Sequence, residues 1–255
     1  MHDTLITGAS SGIGAAIARS HLQQGRAVIG ISHEGAGIVA NLGTADGRAR
    51  AVEQGLRRSG GVIDALVCSA GLPPSADPAQ IVSVNYFGAV AVLDGMFDAL
   101  RAGHQPAAVL IASAGAVHVP EPQSHPLTQT ISTGDEAAAR AEADKVDHPL
   151  VAYCLSKYAL CCAMRERAMA WAAAGVRINA VAPGPIVTPL LAAMQADTRL
   201  PEPSRMFLPP IGRNGQPEEV AELVDFLLSP KASFIHGTVM FIDGGIDALV
   251  RTHRF

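Results

Sequence analysis

The sequence predicts an α/β fold: a doubly wound parallel sheet with helices on both faces. Three observations predict it. Short apolar runs recur at 3–7, 27–32, 62–69, 107–113, 176–182 and 237–243, with helix-like stretches in most of the intervals. Strands alternating with helices in this way build parallel sheets. The first run leads through a glycine turn straight into a helical stretch, and alanine and glycine are abundant throughout, which suits close packing of helices on a sheet.

The 255 residues are 49% hydrophobic and 16% charged, enough to bury a large core. No internal repeat or low-complexity linker divides them, so one domain over residues 1–255 is expected. A net charge of −4 and a pI near 6.1 leave no basic footprint for nucleic acid or an anionic membrane. No apolar run approaches the roughly 18 residues that span a bilayer. The N-terminus reads as a strand rather than as a signal peptide. Cys68, Cys154, Cys161 and Cys162 lack metal-ligand spacing and read as free, mostly buried thiols. A soluble, cytoplasmic protein that uses no metal is expected.

Strand 3–7 runs into Thr7-Gly8-Ala9-Ser10-Ser11-Gly12-Ile13-Gly14, and Gly25 closes the helix that follows. In this context the glycines let the backbone approach a pyrophosphate, and the helix N-terminus offers unpaired N–H groups and a positive dipole end. Ala27–Ser32 is the second strand. In dinucleotide folds an acid at its end binds the NAD ribose, whereas Arg or Lys accepts the NADP 2′-phosphate. Here the tip is Ser32-His33-Glu34. Ser32 can hydrogen-bond a ribose hydroxyl and Glu34 repels a phosphate, while His33 attracts one. NAD is the expected cofactor and NADP stays open. Asn41-Leu42 falls where such folds contact adenine.

Val62–Ser69 reads as a buried strand, ending in Cys68-Ser69-Ala70-Gly71. Ile81–Ala102 reads as one long apolar helix, in which Asn85 needs partners if buried. Ala107–Ser113 is the next strand, and a serine at a strand's carboxyl end opens onto the crevice where such sheets bind ligands. Ser124 and Ser132 fall in irregular sequence and are poorer candidates. Val117–Thr133 reads as loop and Asp135–Val146 as a polar helix. Residues 116–150 could wall or lid a substrate, alter an assembly face, or form a solvated excursion.

Tyr153 and Lys157 stand four apart, which places them on one helix face. A nearby ammonium lowers a phenol pKa from about 10, letting tyrosine act as general acid or base. The spacing alone is common in surface helices. This helix runs to Ala174 and Gly175 caps it. Val176–Ala182 is a strand, followed by Pro183-Gly184-Pro185-Ile186-Val187-Thr188. Residues 189–210 carry Leu190, Leu191, Met194, Met206, Phe207 and Leu208 among prolines, a pattern that suits a flap with an apolar underside. Pro217, Glu218 and Glu219 open one more helix, and Gly237–Asp243 supplies the final strand.

In order, the TGxxxGxG turn, Ala70-Gly71, Asn85, Ser113, Tyr153/Lys157 and Pro183-Gly184 resemble the short-chain dehydrogenase/reductase family. The resemblance implies a single-domain Rossmann-like fold and NAD(P)-dependent interconversion of a secondary alcohol and a ketone. It implies that Gly8, Ser10, Ser11, Gly12, Ile13, Gly14, Ser32, Asn41, Leu42, Ser69, Ala70, Gly71, Pro183, Gly184, Ile186 and Thr188 face the cofactor. Tyr153 would transfer the hydroxyl proton, Lys157 would assist it and bind the nicotinamide ribose, and Ser113 would hold the substrate oxygen. Asn85 would hold a water in a proton relay, or else be satisfied by local backbone.

Within the family, residues 83–89, 103–109, the insertion, 188–191 and 236–248 look like bacterial enzymes of the hydroxysteroid dehydrogenase/carbonyl reductase type. That type carries Asp where this chain has Ser32, and the family carries Asn-Asn where this chain has Cys68-Ser69. The implied substrate is apolar and cyclic, with terpene and coniferyl-type alcohols as alternatives, and the implied assembly is a homodimer or homotetramer. A cofactor-sensing regulator would not need Tyr153, Lys157, Ser113 and Asn85 together. A dehalogenase-type lyase would not keep the glycine turn with Lys157.

Overall fold

The structure, a computed structural model, describes residues 3–200, 202 and 206–253. Its strands are β1 (Asp3–Thr7), β2 (Val28–Ser32), β3 (Ile38–Val39), β4 (Ile63–Cys68), β5 (Ala107–Ile111), β6 (Arg177–Pro183) and β7 (Val239–Ile242). They form one parallel sheet in the order β3-β2-β1-β4-β5-β6-β7. The order reverses direction between β1 and β4, and such a switch point opens a crevice at the carboxyl ends of the strands. This is the doubly wound sheet the alternation predicts.

The strand centres are apolar on both faces, as a sheet covered on both sides requires. One face packs Leu5, Ile31, Leu66 and Leu110 against α2 (Ala45–Ser59), α4 (Ala89–Gly95) and α8 (Pro149–Ala173), with Met164 and Trp171 in the seam. The other packs Ile6, Val67, Val109 and Val181 under α1 (Gly12–Gln23) and α10 (Pro217–Leu228), through Ile17, Val220 and Val224. Burying a side chain of this size is worth about 1.5–3 kcal/mol, so these two seams carry most of the domain's stability.

Two expectations need correction. Residues 81–102 are not one helix. The chain forms α3 (Pro78–Val82), a π-helical stretch over Ser83–Gly88, then α4 and, after a break at Met96, α5 (Phe97–Arg101). The wider π turn places fully buried Asn85 against the backbone of Leu72. Nor is 117–133 all loop. Pro126–Ser132 forms α6, capped by the His125 imidazole, which accepts the Leu127 N–H at 3.1 Å. The polar helix is α7 (Glu136–Ala143). Leu127, Ile131, Ala139 and Ala143 pack on Val82, Ala152, Leu155 and Ala159, giving the insertion a small core of its own. The stretch between β2 and β4, silent in the sequence reading, contains β3 and α2.

Of the flap at 189–210, α9 (Pro189–Ala196) is helical, and residues 201 and 203–205 lie outside the described residues. A short α11 (Ile246–Val250) follows the last strand. Cys68, Cys154 and Cys161 are buried and Cys162 is half-buried, all as free thiols. Among the described residues no helix is long and apolar enough to cross a membrane.

Candidate active site

A cleft of about 1180 Å³ opens at the carboxyl ends of the strands. Its floor is the β1–α1 turn. Gly8 is left-handed (φ 71°) and its missing Cβ would lie 2.9 Å from the Ala70 backbone; a Cβ on Gly14 would lie 2.2 Å from the Gly8 carbonyl oxygen. No other residue fits either position. The Thr7 hydroxyl binds the neighbouring strand end by accepting the N–H groups of Ser69 and Ala70, both at 3.0 Å. This supplies the polar support that Cys68-Ser69 leaves out. The N–H groups of Gly12, Ile13 and Gly14 precede the first intrahelical acceptor, and the Ser11 side chain caps none of them. These donors and the bare glycine backbone form a cradle that fits a pyrophosphate.

To one side of the cradle lies the β2 edge. Ser32 is buried, and its oxygen accepts hydrogen bonds from the Ser10 hydroxyl (3.0 Å) and N–H (3.4 Å). His33 and Glu34 are exposed and pair at 3.4 Å. Asn41 uses its side-chain oxygen to accept the Gly43 N–H at 2.9 Å, so its amide builds a turn, while Leu42 is buried against the Gly88 turn. No Asp or Glu lines the cleft among the described residues. Its charged or titratable lining includes His33, His118, Arg140 and Lys157, a balance that suits an anionic ligand.

On the other side the sheet brings Asn85, Ser113, Tyr153 and Lys157 together. Ser113, just beyond β5, accepts the Gly115 N–H at 3.1 Å and hydrogen-bonds the Tyr153 hydroxyl. Lys157 is buried and its ammonium donates to the Ile111 carbonyl at 2.9 Å. Gly71 lies between them: a Cβ there would come within 3.2 Å of Asn85 Oδ1 and 3.4 Å of Lys157 Nζ. Asn85 Oδ1 accepts the Leu72 N–H at 2.7 Å and its Nδ2 donates to the Leu72 carbonyl at 3.3 Å, the local-backbone arrangement.

The expected effect of Lys157 on Tyr153 needs correction. Burial raises the Tyr153 pKa above the ordinary phenol value, and the hydrogen bond with Ser113 only partly offsets it. The Lys157 Nζ lies 6.0 Å from the tyrosine ring centroid, directed at the end of β5 rather than at the hydroxyl. Burial also lowers the Lys157 pKa to about 8.

At the far wall, Pro183 ends β6 and Gly184 passes so close to Asp243 that a Cβ would lie 2.8 Å from its Cα. Ile186 is buried, and the Thr188 hydroxyl donates to the Ile186 carbonyl at 3.0 Å and caps α9. Leu190, Leu191, Met194 and Phe207 line the cleft, whereas Met206 and Leu208 are exposed and do not. Sequence reasoning missed His118, Arg140, Leu150, Ile246 and Val250, which also line it. Arg140 had one signal, its placement four residues after Glu136 on a small amphipathic helix.

Comparison with known proteins agrees with this geometry. A family model described as short chain dehydrogenase matches residues 3–125, and one described as enoyl-(acyl carrier protein) reductase matches 137–247. The 3-alpha-hydroxysteroid dehydrogenase/carbonyl reductase of Comamonas testosteroni is 42% identical, with 98% of each chain covered. The cis-4-hydroxycyclohexanecarboxylate dehydrogenase of Sinomonas cyclohexanicum is 34% identical, with 96% of each covered. A crystal structure of the 3-alpha-hydroxysteroid dehydrogenase from Pseudomonas sp. B-0831 with NADH superposes with a TM-score of 0.96 at 47% identity, covering 99% of both chains. The chain belongs to the short-chain dehydrogenase/reductase family of oxidoreductases.

Proposed function

We propose that the protein interconverts a secondary alcohol and a ketone on an apolar, cyclic molecule, using NAD or NADP. One observation carries this: Tyr153, Ser113 and Lys157 converge at one end of a carboxylate-free cleft whose floor is a glycine-lined helix N-terminus. When bound, the nicotinamide supplies or accepts the hydride. Ser11, Gly12, Ile13 and Gly14 hold the pyrophosphate through backbone donors, and Gly8, whose own N–H donates to the Ile31 carbonyl at 2.8 Å, lets the chain turn without a side chain beneath it. Ser10, Ser32, Asn41 and Leu42 border the adenosine. Ser69, Ala70, Gly71, Pro183, Gly184, Ile186 and Thr188 border the nicotinamide half.

Tyr153 is the general acid in reduction and the general base in oxidation. Its raised pKa keeps the hydroxyl protonated near neutral pH, ready to give a proton to a carbonyl oxygen. Ser113 already contacts that hydroxyl and holds the substrate oxygen beside it. Lys157, anchored by the Ile111 carbonyl and with its pKa lowered by burial to about 8, binds the nicotinamide ribose. Asn85 fixes Leu72 and the Gly71 turn beneath the ammonium.

The apolar wall of Leu150, Leu190, Leu191, Met194, Phe207, Ile246 and Val250 supports a hydrocarbon ring system as substrate. The relatives named for hydroxysteroids and a hydroxycyclohexane acid support the ring. Four free thiols, one half-buried, support a reducing cytoplasm. The test follows absorbance of the reduced nicotinamide, with NAD and NADP run separately against steroid, monocyclic, terpene and aryl alcohols. Turnover of cyclic secondary alcohols is expected. Silence across that panel, with cofactor binding seen by calorimetry, would leave a cofactor-binding protein without this activity.

A further inference from the structure

The insertion touches the cleft at an unexpected place. Its helix α7 does not lie over the apolar wall. It lies against α3 and the π-helical turn, and two polar links fix it there. Arg48 of α2 pairs with Glu136, Nη1 reaching Oε1 at 3.2 Å and Nη2 reaching Oε2 at 2.5 Å. Arg140 Nη1 donates to Ser83 Oγ at 2.7 Å and to the Ala79 carbonyl at 3.4 Å. Burial raises the Glu136 pKa, but hydrogen bonds with Arg48 and Ser83 and the charges of Arg48 and Arg140 bring it below the usual carboxylate value.

These links lead to the adenosine end. Arg48 lies one turn into α2, whose N-cap Thr44 lines the cleft beside Leu42 and Gly43. Val84, next to Ser83, packs on Gly43: a Cβ there would lie 3.2 Å from Val84 Cγ2. Arg140 itself lines the cleft, half-buried, and among the described residues its Nε and Nη2 donors have no acceptor. A planar guanidinium anchored through one nitrogen, with its other donors free at the edge of an apolar slot, is suited to cover a flat heteroaromatic ring.

We infer that the insertion is a clamp on the cofactor: Arg140, braced by Ser83 and by the Arg48–Glu136 pair, covers the adenosine of the bound dinucleotide. This rests on the dinucleotide reading of the cleft. It assigns to an element beside the substrate site a role in holding NAD(P).

The test is fluorescence titration of the full-length protein with NADH and with reduced nicotinamide mononucleotide, which lacks the adenosine half. In Arg140→Met, which keeps the packing of the side-chain stem, NADH affinity should fall about tenfold, as loss of an arginine–ring contact predicts. Affinity for the mononucleotide and the KM for the alcohol should stay within about twofold. Glu136→Gln, which loosens the brace but leaves Arg140 in place, should weaken NADH by about threefold and serves if Arg140→Met does not fold. Unchanged NADH affinity in both variants, or equal loss for both probes, would overturn the clamp. A wild-type protein that binds neither probe would overturn the dinucleotide reading, and the clamp with it.

Discussion

At the β1–α1 turn the binding surface is the backbone itself, whereas at the catalytic end it is made of side chains delivered from three distant parts of the chain. The turn needs Gly8 and Gly14 because Ala70 and the Gly8 carbonyl occupy the space a Cβ would take. The catalytic end needs a π-helical turn to seat Asn85, a strand end to present Ser113, and a long helix to bury Lys157 beside Tyr153. A backbone site tolerates no added atom but is indifferent to side-chain chemistry. A side-chain site tolerates changes of shape but loses its chemistry with a single atom. Substitutions at the two ends should therefore fail in different ways.

The largest effect is expected at Tyr153. Removing its hydroxyl in Tyr153→Phe takes away the proton donor and the partner of Ser113, while the ring still packs. Turnover should fall by about 10³-fold, within the usual range for a lost general acid, and NADH affinity should change by less than about twofold. Steady-state rates beside a binding titration check this. Near-normal turnover would remove Tyr153 from the mechanism.

Gly14→Ala should fail the other way. The new methyl would meet the Gly8 carbonyl oxygen at 2.2 Å, so the turn must move. Dinucleotide binding should be lost, with a stability cost of about 2–3 kcal/mol typical of overpacking. Urea unfolding and a binding titration measure the two separately. Retained NADH affinity would show that this turn is not the pyrophosphate cradle.

The contrast also explains what the sequence discloses. The glycine turn is contiguous, so Thr7–Gly14 can be read directly, although the contacts of Thr7 and Gly8 with Ser69 and Ala70 exist only in the fold. Tyr153 and Lys157 share one helix and are almost as legible. The direction taken by Lys157 is not, because only the fold shows that its ammonium meets the Ile111 carbonyl 46 residues away. The same limit hid Arg140, whose relation to Ser83 exists only once α7 has packed on α3. The long helix expected over 81–102 failed because apolar periodicity cannot reveal a π turn, which tertiary packing around buried Asn85 imposes.

A smaller effect links the buried lysine to stability. Lys157 falls to about 8 in the fold from 10.5, so between those pH values the unfolded chain binds a proton that the native chain has lost. On its own, Lys157 therefore adds stability as pH increases from about 8, and the thiols of Cys68, Cys154 and Cys161, each pushed up to about 12 by burial, oppose that rise above about pH 9. Tyr153 opposes it too: its raised pKa means that above about pH 10 the unfolded chain loses a proton the native chain retains, and stability falls. Lys157→Met should abolish the rise and keep the fall. Chemical unfolding across pH 7–11 gives both slopes, and a rise that persists in the variant would assign it elsewhere.

The smallest effect tests the border between the two kinds of site, at the tip of β2. Ser32 is buried and spends its oxygen accepting from Ser10, so it presents no charge to the ribose. In Ser32→Asp the carboxylate can take over both Ser10 donors while adding a negative charge where a 2′-phosphate would lie. The ratio of kcat/KM for NAD over NADP should rise by about tenfold, a modest figure because water at the cleft mouth screens the repulsion. The backbone cradle beneath is untouched, so most of the change should come from weaker NADP binding rather than from a faster NAD reaction. A shift towards NADP would mean that the tip of β2 faces away from the ribose, and that cofactor choice is made by residues farther along the cleft.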